Sequence, residues 1–103
     1  MLVVFTTTPS TDEAETLAEA IVTAKLAACV QILPPMTSVY VWEGKLQREA
    51  GHLLLIKTLP EKWDDLLAYV TANHSYDVPE IVAIDAANVS GPYRAWLDSV
   101  LRT

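Results

Sequence analysis

The sequence predicts an α+β fold of the split βαβ type, and three observations carry that prediction. Short β-rich runs alternate with stretches whose apolar residues recur at helical spacing, in the order strand, helix, strand, strand, helix, strand and a last helix. Ser10 with Glu13, and Thr58 with Glu61, each have the spacing of a capping box, in which side chains satisfy the free amides of a helix start. Glu43-Gly44, lying between two β-rich runs, is a natural hairpin turn.

The elements follow in order. Met1 to Thr7 is an apolar, β-rich run, and Pro9-Ser10 hands it over to a helix. Ala14, Leu17, Ala18, Ile21 and Val22 share one face of that helix, while Asp12, Glu13 and Glu15 sit near its positive N-terminal end. Ala27 to Trp42 reads as strand, broken by Pro34 and Pro35; neither can donate a ladder hydrogen bond, so a bulge or kink is expected there. Lys45 to Thr58 returns as a strand ending in the run Leu53 to Ile56. Pro60 then opens a helix with Trp63, Leu66, Leu67 and Val70 on its inner face and an end near Asn73. Pro79 to Ala86 reads as the fourth strand. Ser90 caps a terminal helix whose inner stripe is Tyr93, Trp96, Leu97, Val100 and Leu101.

Two βαβ units in series, each with a right-handed crossover, place both long helices on one face of a four-stranded antiparallel sheet, the ferredoxin-like arrangement. Residues 1–103 are read as a single domain. The hairpin strands, at roughly 13 residues and about 40 Å each, overhang their shorter neighbours. Their tip carries Val39, Tyr40, Val41, Trp42 and Leu46, more apolar surface than one chain can cover, so an oligomer built through the hairpins is expected.

Thirteen acidic against seven basic residues give a net charge of −6, with the basic residues scattered. Nucleic acid is not an expected partner. No apolar run approaches the length of a membrane span and the N-terminus lacks a basic region, so the reading is a cytoplasmic protein with no membrane partner. One cysteine, Cys29, excludes an internal disulfide, and no zinc-type Cys/His ladder is present.

The segments Leu26 to Val30 (LAACV), Ser38 to Leu46 (SVYVWEGKL), Ile56 to Thr58 (IKT), His74 to Ile81 (HSYDVPEI) and Tyr93 to Leu97 (YRAWL) together resemble the CutA family. The resemblance runs along essentially the whole chain. It implies a homotrimer knitted by the long hairpins and a role in tolerance of divalent cations, copper among them; it does not imply a catalytic mechanism. The chain departs from the family pattern at Ser75, where Pro is usual, and at Asp77, where Glu is commoner. Gly51 stands where relatives often carry Glu. Thr6 and Asn73 replace a Cys and a second His of the copper-binding set of some members, leaving His74.

Three residues are candidate metal ligands, each with a structural alternative. His74 offers an imidazole suited to copper(II), or simply meets the last carbonyls of the second helix. His52 is a ligand or a solvated edge residue. Cys29 is a thiolate ligand or a small packed hydrophobe, and it lies too far along the strand from His52 to share an ion with it. Any divalent cation is therefore expected to bind weakly, with no obligatory cofactor. By the resemblance, Tyr40, Trp42, Lys57, Tyr76, Glu80, Tyr93 and Trp96 lie near clefts between subunits, where they seat a small ligand or pack the trimer. No Ser/His/Asp set, Cys/His pair or Gly-rich phosphate loop is legible, so enzymatic activity is not expected. Two functional classes remain: metal tolerance with weak metal binding, and a sensor or scaffold resembling trimeric signalling proteins of the PII type, taking a ligand or partner protein at its clefts.

Overall fold

A computed structural model describes residues 1–102. The order is β1 (Leu2–Thr8), α1 (Thr11–Thr23), β2 (Cys29–Ile32), β3 (Met36–Trp42), β4 (Lys45–Thr58), a 3₁₀ turn (Pro60–Lys62), α2 (Trp63–Asn73), β5 (Val82–Asp85) and α3 (Gly91–Leu101). All pairings are antiparallel, with β2, β4, β1 and β5 side by side and β3 on the outer half of β4. This is the expected ferredoxin-like topology. No described helix is long and apolar enough to cross a membrane.

Alternation along the strands decides where the core lies. Val4, Thr6, Thr8, Leu54, Ile56 and Thr58 point to one face and are buried, and Ala14, Leu17 and Ile21 of α1 with Leu66 and Val70 of α2 close over that face. Val22, expected on the inner face of α1, is 37% exposed because it lies past the edge of the buried stripe. Leu97 and Leu101 of α3 pack with Ala28 and Leu59 in a second, smaller cluster. Trp96, expected in the inner stripe of α3, stands largely outside it at 44% exposed.

The double proline acts as foreseen. Met36 faces Gly51 while Ile32 faces Leu54, so Leu33, Pro34 and Pro35 stand opposite only Leu53 and His52. One extra residue makes a bulge, which separates the expected long strand into β2 and β3. The hairpin turns at Glu43 and Gly44, both at positive φ (50° and 76°), as a two-residue turn matched to strand twist requires. From Lys45 to Gly51, β4 pairs with β3 alone, so the hairpin forms an arm and the molecule measures 45 × 25 × 23 Å.

Two local expectations are corrected. At α1 the Ser10 hydroxyl accepts from the Glu13 amide at 3.2 Å, but the Glu13 carboxylate goes to Ser75 instead of back to the cap. At the second site there is no box: Thr58 is fully buried and its hydroxyl donates to the Leu26 carbonyl at 2.7 Å, while Glu61 pairs with Arg102 at 2.9 Å. The chain enters α2 through the 3₁₀ turn with no side-chain cap. The fourth strand is also shorter than the expected Pro79 to Ala86, since only Val82–Asp85 finds β1 as a partner.

Candidate functional site

The loop after α2 is fastened by an imidazole. The His74 side chain is wholly buried; its Nε2–H donates to the Thr7 carbonyl at 2.6 Å, and its Nδ1 accepts from the Tyr76 amide at 3.0 Å. Those partners define a neutral ring with both nitrogens engaged. The helix-end carbonyls expected as its partners are not among them. Glu13 Oε2 stands 3.8 Å from Nδ1 and also accepts from the Ser75 hydroxyl and amide, at 3.0 and 3.3 Å. One carboxylate and one imidazole thus tie α1, β1 and the loop Ser75–Val78 together.

His52 is a correction of a different kind. Expected at a solvated edge, it is only 8% exposed. The bulge leaves the Leu33 carbonyl outside the regular ladder, and His52 Nδ1–H donates to it at 2.8 Å while Nε2 accepts from the Thr11 hydroxyl at 3.0 Å. Both ring nitrogens are thus engaged in hydrogen bonds within the fold.

The seven expected cleft residues fall into two groups. Lys57, Tyr93 and Trp96 gather beside Cys29: Lys57 Nζ lies 5.7 Å from the Tyr93 ring centre, Tyr93 and Trp96 are 5.5 Å apart, and Lys57 is the cross-strand partner of Cys29. Burial first, then the Cys29 sulfur, push the Tyr93 hydroxyl up from its ordinary 10.0. Half-buried Cys29 lies opposite Lys57, far along β4 from His52.

Tyr40, Trp42, Tyr76 and Glu80 lie elsewhere, along a groove of about 640 Å³ between the root of the arm and the His74 loop. Its lining includes Thr8 and Gly51. Glu49, which the sequence reading did not single out, is among its lining residues, and the Tyr76 hydroxyl donates to Glu49 Oε2 at 3.5 Å. Period-two spacing on β4 puts Glu49 and Gly51 on one face, but nothing in the sequence brings Tyr76 there.

Burial, followed by Glu49, raises both phenols above 10.0. The unfolded chain ionises these groups first as pH climbs, so their contribution is complete below about pH 10 and disappears as pH passes the higher folded values. In urea titrations along the pH scale, the Tyr40→Phe/Tyr76→Phe double variant is expected to lose stability less steeply above that point than the parent. Parallel curves would show that the folded phenols titrate as free ones do.

Among the described residues no group of three or more His, Cys, Asp or Glu side chains converges as a metal cage. The surface thus offers a groove beside an apolar arm, with two hydrogen-bonded histidines nearby.

The comparisons with known proteins agree with this architecture. Residues 2–100 match the family model described as CutA1 divalent ion tolerance protein. The chain is 45% identical over 101 residues to the chloroplastic Protein CutA of Arabidopsis thaliana, covering 98% of this chain but 56% of that relative. It is 44% identical over 95 residues to the Divalent-cation tolerance protein CutA of Thermus thermophilus, covering 92% of each. The crystal structure of CutA1 from Oryza sativa superposes with a TM-score of 0.93 at 44% identity, covering 96% of this chain and 91% of that one. With the model matched almost end to end and relatives this similar in sequence and backbone, the chain belongs to the CutA1 divalent ion tolerance family.

Proposed function

We propose that this protein acts in divalent-cation tolerance as a homotrimer that binds and does not catalyse. The observation that carries this reading is apolar surface left open on two connected parts of the chain. The sheet face turned away from α1 and α2 carries Val3, Phe5, Leu53 and Leu55, all only partly covered, with Val82 and Ile84 about half exposed. The arm adds Val39, Val41, Trp42 and Leu46, between 47% and 70% exposed. Surface of this extent belongs in an interface, and the family resemblance supplies the number three.

Copper(II) is held weakly in this reading. The most suitable nitrogen is His74 Nδ1, with Glu13 as an oxygen co-ligand, but an ion there must displace the Tyr76 amide, and no third ligand is at hand. Light scattering should return three chain masses of 11.3 kDa each, and Trp42→Ala should promote dissociation on dilution; a stable single-chain mass overturns the trimer. Copper titration should show loose binding, lost on dialysis against a weak chelator and weakened by Glu13→Gln. Stoichiometric retention, or loss in Cys29→Ser with Glu13→Gln unaffected, overturns the copper reading.

The groove favours a second reading, in which the trimer senses a small ligand at its clefts. Its size lies within the ordinary range of small-molecule sites, and it runs along the arm that the trimer would engage.

A further inference from the structure

We infer that the groove between the arm and the His74 loop takes a small organic cation, an ammonium ion carrying carbon substituents. The inference rests on the cleft reading above and names the ligand class for that site. The groove has three aromatic walls, Tyr40, Trp42 and Tyr76, and three carboxylates, Glu49, Asp77 and Glu80. No Lys, Arg or His is among its lining residues, although the chain has seven basic residues to place.

Each candidate ligand class meets this lining differently. An anion would enter against three carboxylates with no countercharge. A neutral molecule would cover the carboxylates without replacing the water that solvates them, a cost with no matching gain. A divalent metal needs several donor atoms converging on one point, and the described residues form no such group. An alkylammonium ion satisfies both features together. Its charge is spread over C–H surface that favours aromatic faces, and the carboxylates neutralise it at the rim.

Glu49 is the centre of the arrangement. Its carboxylate lines the groove with Tyr40 of the arm and Tyr76 of the loop, and the Tyr76 hydroxyl reaches Oε2 at 3.5 Å. The volume of about 640 Å³ exceeds what a four-carbon ammonium ion fills, leaving room for polar substituents.

The test uses the intact protein in its assembled state, with choline as the cation and 3,3-dimethyl-1-butanol as its neutral isostere. The readout is the Trp42 indole N–H resonance, assigned through Trp42→Phe. Choline is expected to shift that resonance saturably in the millimolar range, with the isostere at least roughly tenfold weaker. Glu49→Gln and Glu80→Gln, both on the lining, should each weaken choline with the assembly mass unchanged. Equal binding of choline and its isostere, or unchanged affinity in both Gln variants, overturns the cation inference. If a neutral compound or acetate shifts the indole where choline does not, the ligand cleft stands and the cation falls; if none of these probes shifts it in an intact trimer, both fall.

Discussion

Replacing Gly51 by Ala is expected to destabilise the protein by about 1–3 kcal/mol, far more than a surface change of one methyl group. A Cβ built on Gly51 lies 2.7 Å from the Thr8 carbonyl oxygen, with the Thr8 carbonyl carbon at 3.6 Å and Pro9 Cα at 3.9 Å. These are backbone atoms, so no side chain can swing aside. Thr8 is the last residue of β1 paired with β4, through His52, and Pro9-Ser10 immediately turns the chain into α1. Relief therefore requires moving the end of β1, the start of α1 or the root of the arm. Urea unfolding monitored by tryptophan fluorescence gives the midpoint shift at constant slope. An unchanged midpoint would mean that the β1–β4 separation at this level is soft.

His74→Ala is expected to cost about 2–4 kcal/mol, by a route that distinguishes a structural imidazole from a metal ligand. The substitution opens a cavity at a fully buried ring and strips the Thr7 carbonyl and the Tyr76 amide of their partners. It also releases the ring that lies 5.0 Å from Tyr76, so the loop on one wall of the groove loses its fastening. His74→Gln, which keeps a donor and an acceptor on a flexible stem, should recover part of the loss. The decisive comparison is urea unfolding with and without a strong chelator. The loss should be the same in both; if chelation lowers the parent to the level of His74→Ala, a bound ion and not the hydrogen bonds was the source of stability.

The residues whose roles were legible in the sequence are those governed by neighbours. Ala14, Leu17, Ala18 and Ile21 declare their shared face through a spacing that any α-helix imposes, and all four are buried. Pro34-Pro35 announces a bulge because proline lacks the donor that a ladder needs, and Glu43-Gly44 announces a turn because its backbone must take positive φ. The overhanging arm follows from counting residues between those signals. Thr58-Glu61 shows the limit of local reading: the spacing was right, but a carbonyl 32 residues away, at Leu26, took the hydroxyl.

The chemistry of the histidines and of the groove was decided only in three dimensions. His52 meets partners 19 and 41 residues distant, and His74 meets one 67 residues distant, so no short window of sequence contains the atoms that hold them. Glu49 becomes a groove residue because Tyr76 is delivered to it across the fold by the His74 loop. Local order is set by backbone sterics and periodicity acting over a few residues, so the sequence alone determined the elements and the family. Which polar groups pair, and so which remain to bind a ligand, depends on where the sheet brings distant segments together, and that the tertiary structure decided.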